Sequence, residues 1–499
     1  MTPLITTILG GLLATYIFLK FYLHLSQNPK EPPLIETQIP FLSSLLRMIK
    51  DGHGCYINLR NQYNLPIYTL RMPFGRIYVI NSTELISAAQ KQWKQISFAA
   101  VAADAGTAIG MSDSSVKLMH TDLNNENSFS LSWPRYILPA LTPGPDLDVL
   151  NRKAIHVLVE EMEKSATKTV RLWDWTQRIM TSATTEAVFG PQNPFRDQEV
   201  VDSWFKFESN FLIFHIFPKP HLFFKNLFEA REKVAAALIG YMKAAGYETG
   251  SGLVKRRVEH HREWNLPIED IGRAELGNTF AVLANTTPTA LWVLWHIFTD
   301  KKVLEDVRKE VLGLVREESD GMSLVDLARV KTACPILSSV FQETLRHRSL
   351  APSVKKILED VLLDGRYLLK KGSMLMMPAP VQHSDKEVWG DNALEFDHLR
   401  FVNSTKWNRT AFRGFGGGHV LCPGRHFAST EIMAFAAMVV LRFDFVPVAG
   451  QWGKAEWKNS PAAAQIPILD EDIEVELRVR EPERTWKFVY SRSEGVEED

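Results

Sequence analysis

The sequence predicts a mainly α-helical protein with a smaller β part, set behind an N-terminal transmembrane helix. Three observations carry that prediction. An apolar run fills residues 4–25, helical spacing of apolar residues dominates from Leu147 onward, and apolar/polar alternation around a Pro/Gly turn marks the short stretch 66–80. The 499 residues give ample length for a large core, as one fold or two closely joined lobes. No repeat and no internal Gly/Ser linker divides them, so residues 41–490 read as one folded body. Fifty-seven basic side chains balance 58 acidic ones, leaving a net charge of -1, which argues against a nucleic-acid binder or a polybasic surface protein.

In chain order, "LITTILGGLLATYIFLKFYLHL" (4–25) carries one formal charge, Lys20, and approaches the roughly 20 apolar residues that span a bilayer. It lacks a basic leader and an obvious small-residue cleavage site, so it reads as an uncleaved anchor; the alternatives are a signal peptide or a buried helix. Lys20 and Lys30 lie towards its C-terminal side and no Lys or Arg precedes it, which predicts a single pass with the rest of the chain in the cytosol. Cys55, Cys334 and Cys422, odd in number and far apart, fit a reducing compartment. Prolines 29, 32, 33 and 40 make residues 26–40 a stiff, non-helical hinge. An acidic tail, 491–499, closes the chain.

Within the body, "PIYTLRMPFGRIYVI" (66–80) predicts a β-hairpin around a Pro/Gly turn, and "LDVLNRKAIHVLVEEMEK" (147–164) predicts a helix. The aromatic-rich stretch 204–224 reads as two apolar segments meeting at Pro218 and Pro220, either core or an exposed patch for membrane or apolar substrate. Residues 267–300 predict a long helix opened by Pro267, Glu269 and Asp270. Pro335 starts another, with Ile336, Leu337, Val340, Phe341 and Leu345 on one side. "DGRYLLKKGSMLMMPAP" (364–380) reads as a short strand pair.

The chemistry concentrates in "FGGGHVLCPGR", Phe415 to Arg425. The apolar run after Cys422 predicts a helix whose first amides face the sulfur, and such amides steady a thiolate. Gly416, Gly417 and Gly418 permit unusual dihedrals and close approach of a flat group to the backbone. Without a C-x-x-C partner the cysteine suits neither tetrahedral zinc nor an iron–sulfur cluster, whereas a single axial thiolate suits a haem iron.

This stretch resembles the haem-ligand signature of the cytochromes P-450, F-x-x-G-x-[Arg/His]-x-C-x-G, with Phe415, Gly418, Cys422 and Gly424 in place. "ETLR" supplies the family's E-x-x-R pair as Glu343 and Arg346, three apart on one helix face, and "FDHLRF" puts Arg400 where the third member of that ion network is expected. The resemblance covers nearly the whole chain and implies a cytochrome P-450 fold with haem b, iron protoporphyrin IX, ligated by Cys422. It also implies electrons from NADPH through NADPH-cytochrome P-450 reductase, and attachment to the endoplasmic reticulum membrane.

Two departures from the family pattern stand out. The helix 267–300 would cross the haem as the oxygen-binding helix, yet where the family places an acid and an alcohol this chain has Thr287 and Pro288, within Ala284-Asn285-Thr286-Thr287-Pro288. Proline there removes a donor and clashes with the carbonyl of Ala284, a kink that costs about 3 kcal/mol in an ordinary helix interior. Proton delivery then falls to Thr286, Thr287, Thr289 or a bound water, while Asn285 is placed to hydrogen-bond a polar group on the substrate or to cap the freed carbonyl. The block is similar to the N-T-I-P of sterol 7α- and 12α-hydroxylases and the G-N-x-G-P of prostacyclin synthase. The second departure is Val420, two before the cysteine, where a basic propionate partner is expected; His419 lies one place earlier, as in the synthase. Lys355 aligns with an arginine that many relatives use for propionate, with a surface lysine as the alternative. Arg425 and His426 read as helix-start and packing residues.

The wording of the motif looks most like members from fungal secondary metabolism, whose substrates are terpenoids, steroids, polyketides or alkaloids. Three functions follow: a membrane-anchored monooxygenase, an oxygen-independent isomerase or dehydratase acting on a peroxide, and a non-catalytic membrane-anchored binding protein.

Overall fold

The computed structural model describes residues 2–491 except 36, 74, 166–167, 218, 320, 404–406 and 462–463; the stretch 492–499 of the expected acidic tail lies outside the described residues. Thr2–Leu25 is one helix whose Leu4–Leu25 portion is long and apolar enough to cross a bilayer, and its apolar window is not buried within the fold, against the buried-helix alternative. The proline-rich stretch that follows is non-helical, as expected, but it is no free hinge. Thr69 donates its amide to Pro33 O and Ile35 donates to Thr69 O, while Tyr78 donates its hydroxyl to Glu31 at 2.7 Å. Arg76 pairs with the same carboxylate at 3.2 Å, so the connector lies along the sheet.

The predicted hairpin forms from strands Ile67–Met72 and Gly75–Ile80, paired antiparallel with Ile67 opposite Ile80. Met374–Pro378 joins Gly75–Ile80 in parallel, Pro352–Ile357 pairs antiparallel with Met374–Pro378, and the short Ile96–Ser97 completes a five-stranded sheet. Strand Tyr367–Leu369 was expected to pair with the 374–378 segment. It pairs instead with Val361–Leu363, and the two strands belong to different sheets. Alternation sets a strand's faces but says nothing about which edge it meets.

The helical body surrounds two buried helices. Every residue of Thr286–Phe298 is buried, and so is Ser429 to Leu441 of Arg425–Arg442; the two pack together and against Pro335–Arg348 in one cluster that includes Trp292, Leu294, Val340, Phe435 and Val439. The expected helix over Leu147 is Pro145–Glu163.

The long helix expected over 267–300 is two helices, Ile268–Leu283 and Thr286–Phe298. Pro288 is the third residue of the second. With no N–H to offer Ala284 O, it ends the first helix at the Ala284 N to Phe280 O bond, and the next resumes with Thr289 donating to Asn285 O. In a first turn proline is tolerated, so a break replaces a mere kink. The segment 204–224 likewise has three pieces, Gln198–Glu208, Phe211–Ile216 and Pro220–Phe223, where two were expected; Pro218 is outside the described residues. The first piece buries Trp204 and Phe207, while Ile216, Phe217, Leu222 and Phe223 are exposed.

Candidate functional site

Cys422 stands three residues before the Arg425–Arg442 helix, at the end of a tight loop that its own amide closes by donating to Phe415 O at 2.9 Å. Burial pushes the thiol above its ordinary range, while the Gly424 and Arg425 amides and the Arg425 charge pull it back. Those amides are the helix-start groups the sequence predicts. Arg425 also donates Nη1 to Cys422 O at 3.1 Å, and His426 contributes its carbonyl to the Ser429 and Thr430 hydroxyls, so both serve the helix start. A side chain at Gly424 would lie 3.9 Å from the sulfur.

The glycines have two separate jobs. Gly416 and Gly418 hold φ of 74° and 63°, a region that L side chains avoid. A Cβ on Gly417 would fall 2.6 Å from Arg413 Nη1, and one on Gly418 2.8 Å from Gln90 Cγ. The side chains crowding this loop are therefore Arg413 and Gln90, the latter from helix Thr83–Lys91. His419 is exposed and rests its ring on Trp93, with centroids 5.1 Å apart. Phe415 lies 6.0 Å from the Phe341 ring.

Glu343, Arg346 and Arg400 come together as the motif spacing predicts. Glu343 is fully buried and accepts from Arg346 Nε and Nη2, both at 2.6 Å, from Arg400 Nε at 3.0 Å and from the Asp397 amide at 3.0 Å. The two guanidinium groups use their remaining donors on backbone carbonyls: Arg346 on His383, Ala393 and Glu395, Arg400 on Trp389, Asn392 and Glu395. His383 then accepts the Arg413 amide through Nε2 at 2.8 Å. A continuous set of hydrogen bonds thus runs from the E-x-x-R helix to the start of the cysteine loop. Sequence reasoning missed His383, because only the fold brings residue 383 beside 413.

Across the helix break, the side chains of Ala284-Asn285-Thr286-Thr287-Pro288 differ in what they are free to do. Thr289 spends its hydroxyl on Asn285 O at 2.6 Å. Thr287 is buried and its hydroxyl has no hydrogen-bond partner among the described residues, while Thr286 is buried beside it. Asn285 is exposed, and among the described residues its side chain does not cap the first amides of the helix.

Lys355 is no surface lysine. It is 2% exposed on strand Pro352–Ile357, and burial, reinforced by the Arg413 charge, pushes it down to about 8. Arg413 is also buried, and its Nε, Nη1 and Nη2 have no hydrogen-bond partner among the described residues. Among the described residues, no group of three or more His, Cys, Asp and Glu stands ready to hold a metal ion. A lone thiol at a helix start, a loop bent at two left-handed glycines and buried cations without an anion together fit a flat, anionic group ligated by one sulfur, as haem is.

Residues 32–464 match the family model described as Cytochrome P450. Over 492 residues the chain is 34% identical to the cytochrome P450 monooxygenase nodJ of Hypoxylon pulicicidum, covering 94% of this chain and 93% of that protein. A cytochrome P450 monooxygenase of Gibberella zeae is 30% identical across 85% of this chain and 83% of the relative. The rat (Rattus norvegicus) 25-hydroxycholesterol 7-alpha-hydroxylase is 26% identical across 61% of this chain and 79% of its own length.

Proposed function

The chain belongs to the cytochrome P450 family, a haem-thiolate monooxygenase by that membership, and from that premise we propose that it oxidises an apolar small molecule of terpenoid, steroid, polyketide or alkaloid type in secondary-metabolite biosynthesis. The observation that carries the reading is the free thiol of Cys422, the one cysteine of three that is not fully buried, set at a helix start in the family's loop. The fungal monooxygenases covering most of the chain support the monooxygenase reading, and the likeness to a 25-hydroxycholesterol 7-alpha-hydroxylase supports a rigid, mostly hydrocarbon substrate.

When bound, haem supplies reductive activation of dioxygen, with one oxygen atom going to substrate and the other to water. The chain's own residues do the rest. Cys422 provides the thiolate, and the Gly424 and Arg425 amides hold its charge. Phe415, Gly418, His419 and Gly424 shape the loop around it; Lys355 would hold a haem carboxylate, and Ala284 would line the cofactor's site. Glu343, Arg346 and Arg400 fix the backbone that carries the loop. With the family's acid absent, the unpartnered Thr287 hydroxyl is the group left to pass a proton or hold a water, with Thr286 next to it, and Pro288 keeps the break that presents them. Asn285 offers its amide to a polar group on the substrate.

Electrons come from NADPH-cytochrome P-450 reductase, and the chain is a single-pass protein of the endoplasmic reticulum membrane with its body in the cytosol. The apolar helix and the placement of Lys20 and Lys30 support this. The reduced protein is expected to give the thiolate-type Soret band with carbon monoxide, and Cys422→Ala to lose it; a band that survives the substitution overturns the ligand assignment. Turnover is expected to need oxygen, NADPH and reductase together. Product formed from a peroxide without them would assign the isomerase, for which the absent alcohol at Pro288 speaks. The metabolite that accumulates when the protein is missing identifies the substrate.

A further inference from the structure

We propose that Arg413 is a haem-carboxylate anchor of this enzyme, acting with Lys355 and taking the place that Val420 leaves without a cation. The proposal rests on the haem reading above.

The charge balance of the buried cations sets Arg413 apart. Arg346 and Arg400 share Glu343, Arg257 meets Glu275 at 3.0 Å, and Arg231 meets Glu232 at 2.6 Å. Arg348 has no carboxylate, but its guanidinium lies 3.7 Å over the Trp292 ring and 4.6 Å over Trp457. Arg413 has neither: among the described residues it pairs with no acid and stacks on no ring, and all three guanidinium nitrogens are buried without a partner. Lys355, its like-charged neighbour, is buried too and also pairs with no acid among the described residues. Two adjacent buried cations without an anion are costly, so the arrangement is stable only with a doubly anionic partner.

Position identifies that partner. Arg413 opens the segment that runs to Cys422, its amide is fixed to His383 Nε2, and its Nη1 lies under Gly417 within the loop. The carboxylate pair that belongs beside this loop is on one edge of the porphyrin whose iron Cys422 would bind. A guanidinium fork suits a carboxylate in two-pronged geometry, and Lys355 supplies a point charge for the second. In the sequence, Arg413 is nine residues before the cysteine, where no motif position draws attention to it.

The test uses the full-length holoenzyme with Arg413→Met and, separately, Lys355→Met. Haem transfer to excess apomyoglobin is expected to be roughly ten- to a hundredfold faster in Arg413→Met, the range for losing a charge-assisted hydrogen bond. The iron midpoint potential is expected to move negative, because the carboxylate's charge is no longer offset. The carbon-monoxide complex should keep its thiolate band. Lys355→Met is expected to move both readouts the same way, and it carries the test if Arg413→Met does not fold. Wild-type haem loss and potential in the variants overturn the proposal and leave the haem reading intact, whereas absence of the thiolate band in the wild type overturns the haem reading itself. Added succinate is expected to change nothing; a succinate-dependent spectral shift that Arg413→Met abolishes would assign the pair to a free dicarboxylate and overturn the proposal.

Discussion

Thr287 and Thr289 differ by two positions and by one hydrogen bond. Thr287→Val replaces an unpartnered buried hydroxyl with a methyl of the same shape, so its effect on stability is expected to be near zero or slightly favourable, while hydrogen peroxide released per product rises. Thr289→Val breaks the bond to Asn285 O and is expected to cost about 1 kcal/mol. Thermal midpoints and peroxide yields of the two variants separate a proton-handling hydroxyl from a structural one. A larger stability loss in Thr287→Val than in Thr289→Val would contradict this assignment.

A second residue-scale prediction concerns pH. Glu431 is fully enclosed, accepts from the Thr184 hydroxyl at 2.7 Å and has an unpartnered Oε2; burial pushes its carboxyl from 4.5 up to about 8. A folded value above the ordinary one means that its stability contribution is complete below about pH 4.5 and is lost as pH rises towards about 8. Glu431→Gln is expected to raise the stability at pH 8.5 by on the order of a few kcal/mol, read as a higher thermal midpoint, and to leave the midpoint nearly unchanged at pH 5. Equal shifts at both pH values would rule out the titration as the cause.

At the scale of elements, the break between Ile268–Leu283 and Thr286–Phe298 lies where Pro288 has no N–H to offer Ala284 O and its ring crowds that carbonyl. Pro288→Ala restores the donor to Ala284 O, so slower amide exchange around 284–289 is expected, together with altered product distribution, because the break presents Asn285 and Thr287. Unchanged exchange would place the cause of the break elsewhere. The E-x-x-R network is the opposite case. Glu343→Ala leaves Arg346 and Arg400 buried without their anion, a loss of about 3–5 kcal/mol. Little haem-loaded protein is expected from that variant, measured as the ratio of Soret to protein absorbance.

At the scale of the whole molecule, the N-terminal helix is not the sole exposed apolar surface among the described residues. Ile216 and Phe217 at the end of Phe211–Ile216 and Leu222 and Phe223 in Pro220–Phe223 are exposed, as are Leu42, Leu46 and Ile49 on helix Leu42–Asp51. A chain lacking residues 1–25 is expected to keep binding lipid vesicles, and Leu222→Asp with Phe223→Asp to weaken that binding tenfold or more, given about 1.5–3 kcal/mol for each large apolar side chain withdrawn from water. Sedimentation with vesicles measures it.

The sequence alone determined the thiol, the glycine loop, the E-x-x-R trio and the apolar N-terminal helix. Each is encoded locally, by residue types at fixed spacing whose chemistry holds wherever the chain travels. Helix and strand periods were legible for the same reason. Tertiary structure decided the rest: which edges the strands of 364–380 meet, that the proline-rich connector is tied to the sheet, and that Arg413, Lys355 and His383 gather at the cysteine loop. Those facts depend on burial and on the absence of a partner, which are properties of position within the fold and not of residue type. An arginine reads the same on a surface and in a core, and only a buried one without an anion declares what it is waiting to bind.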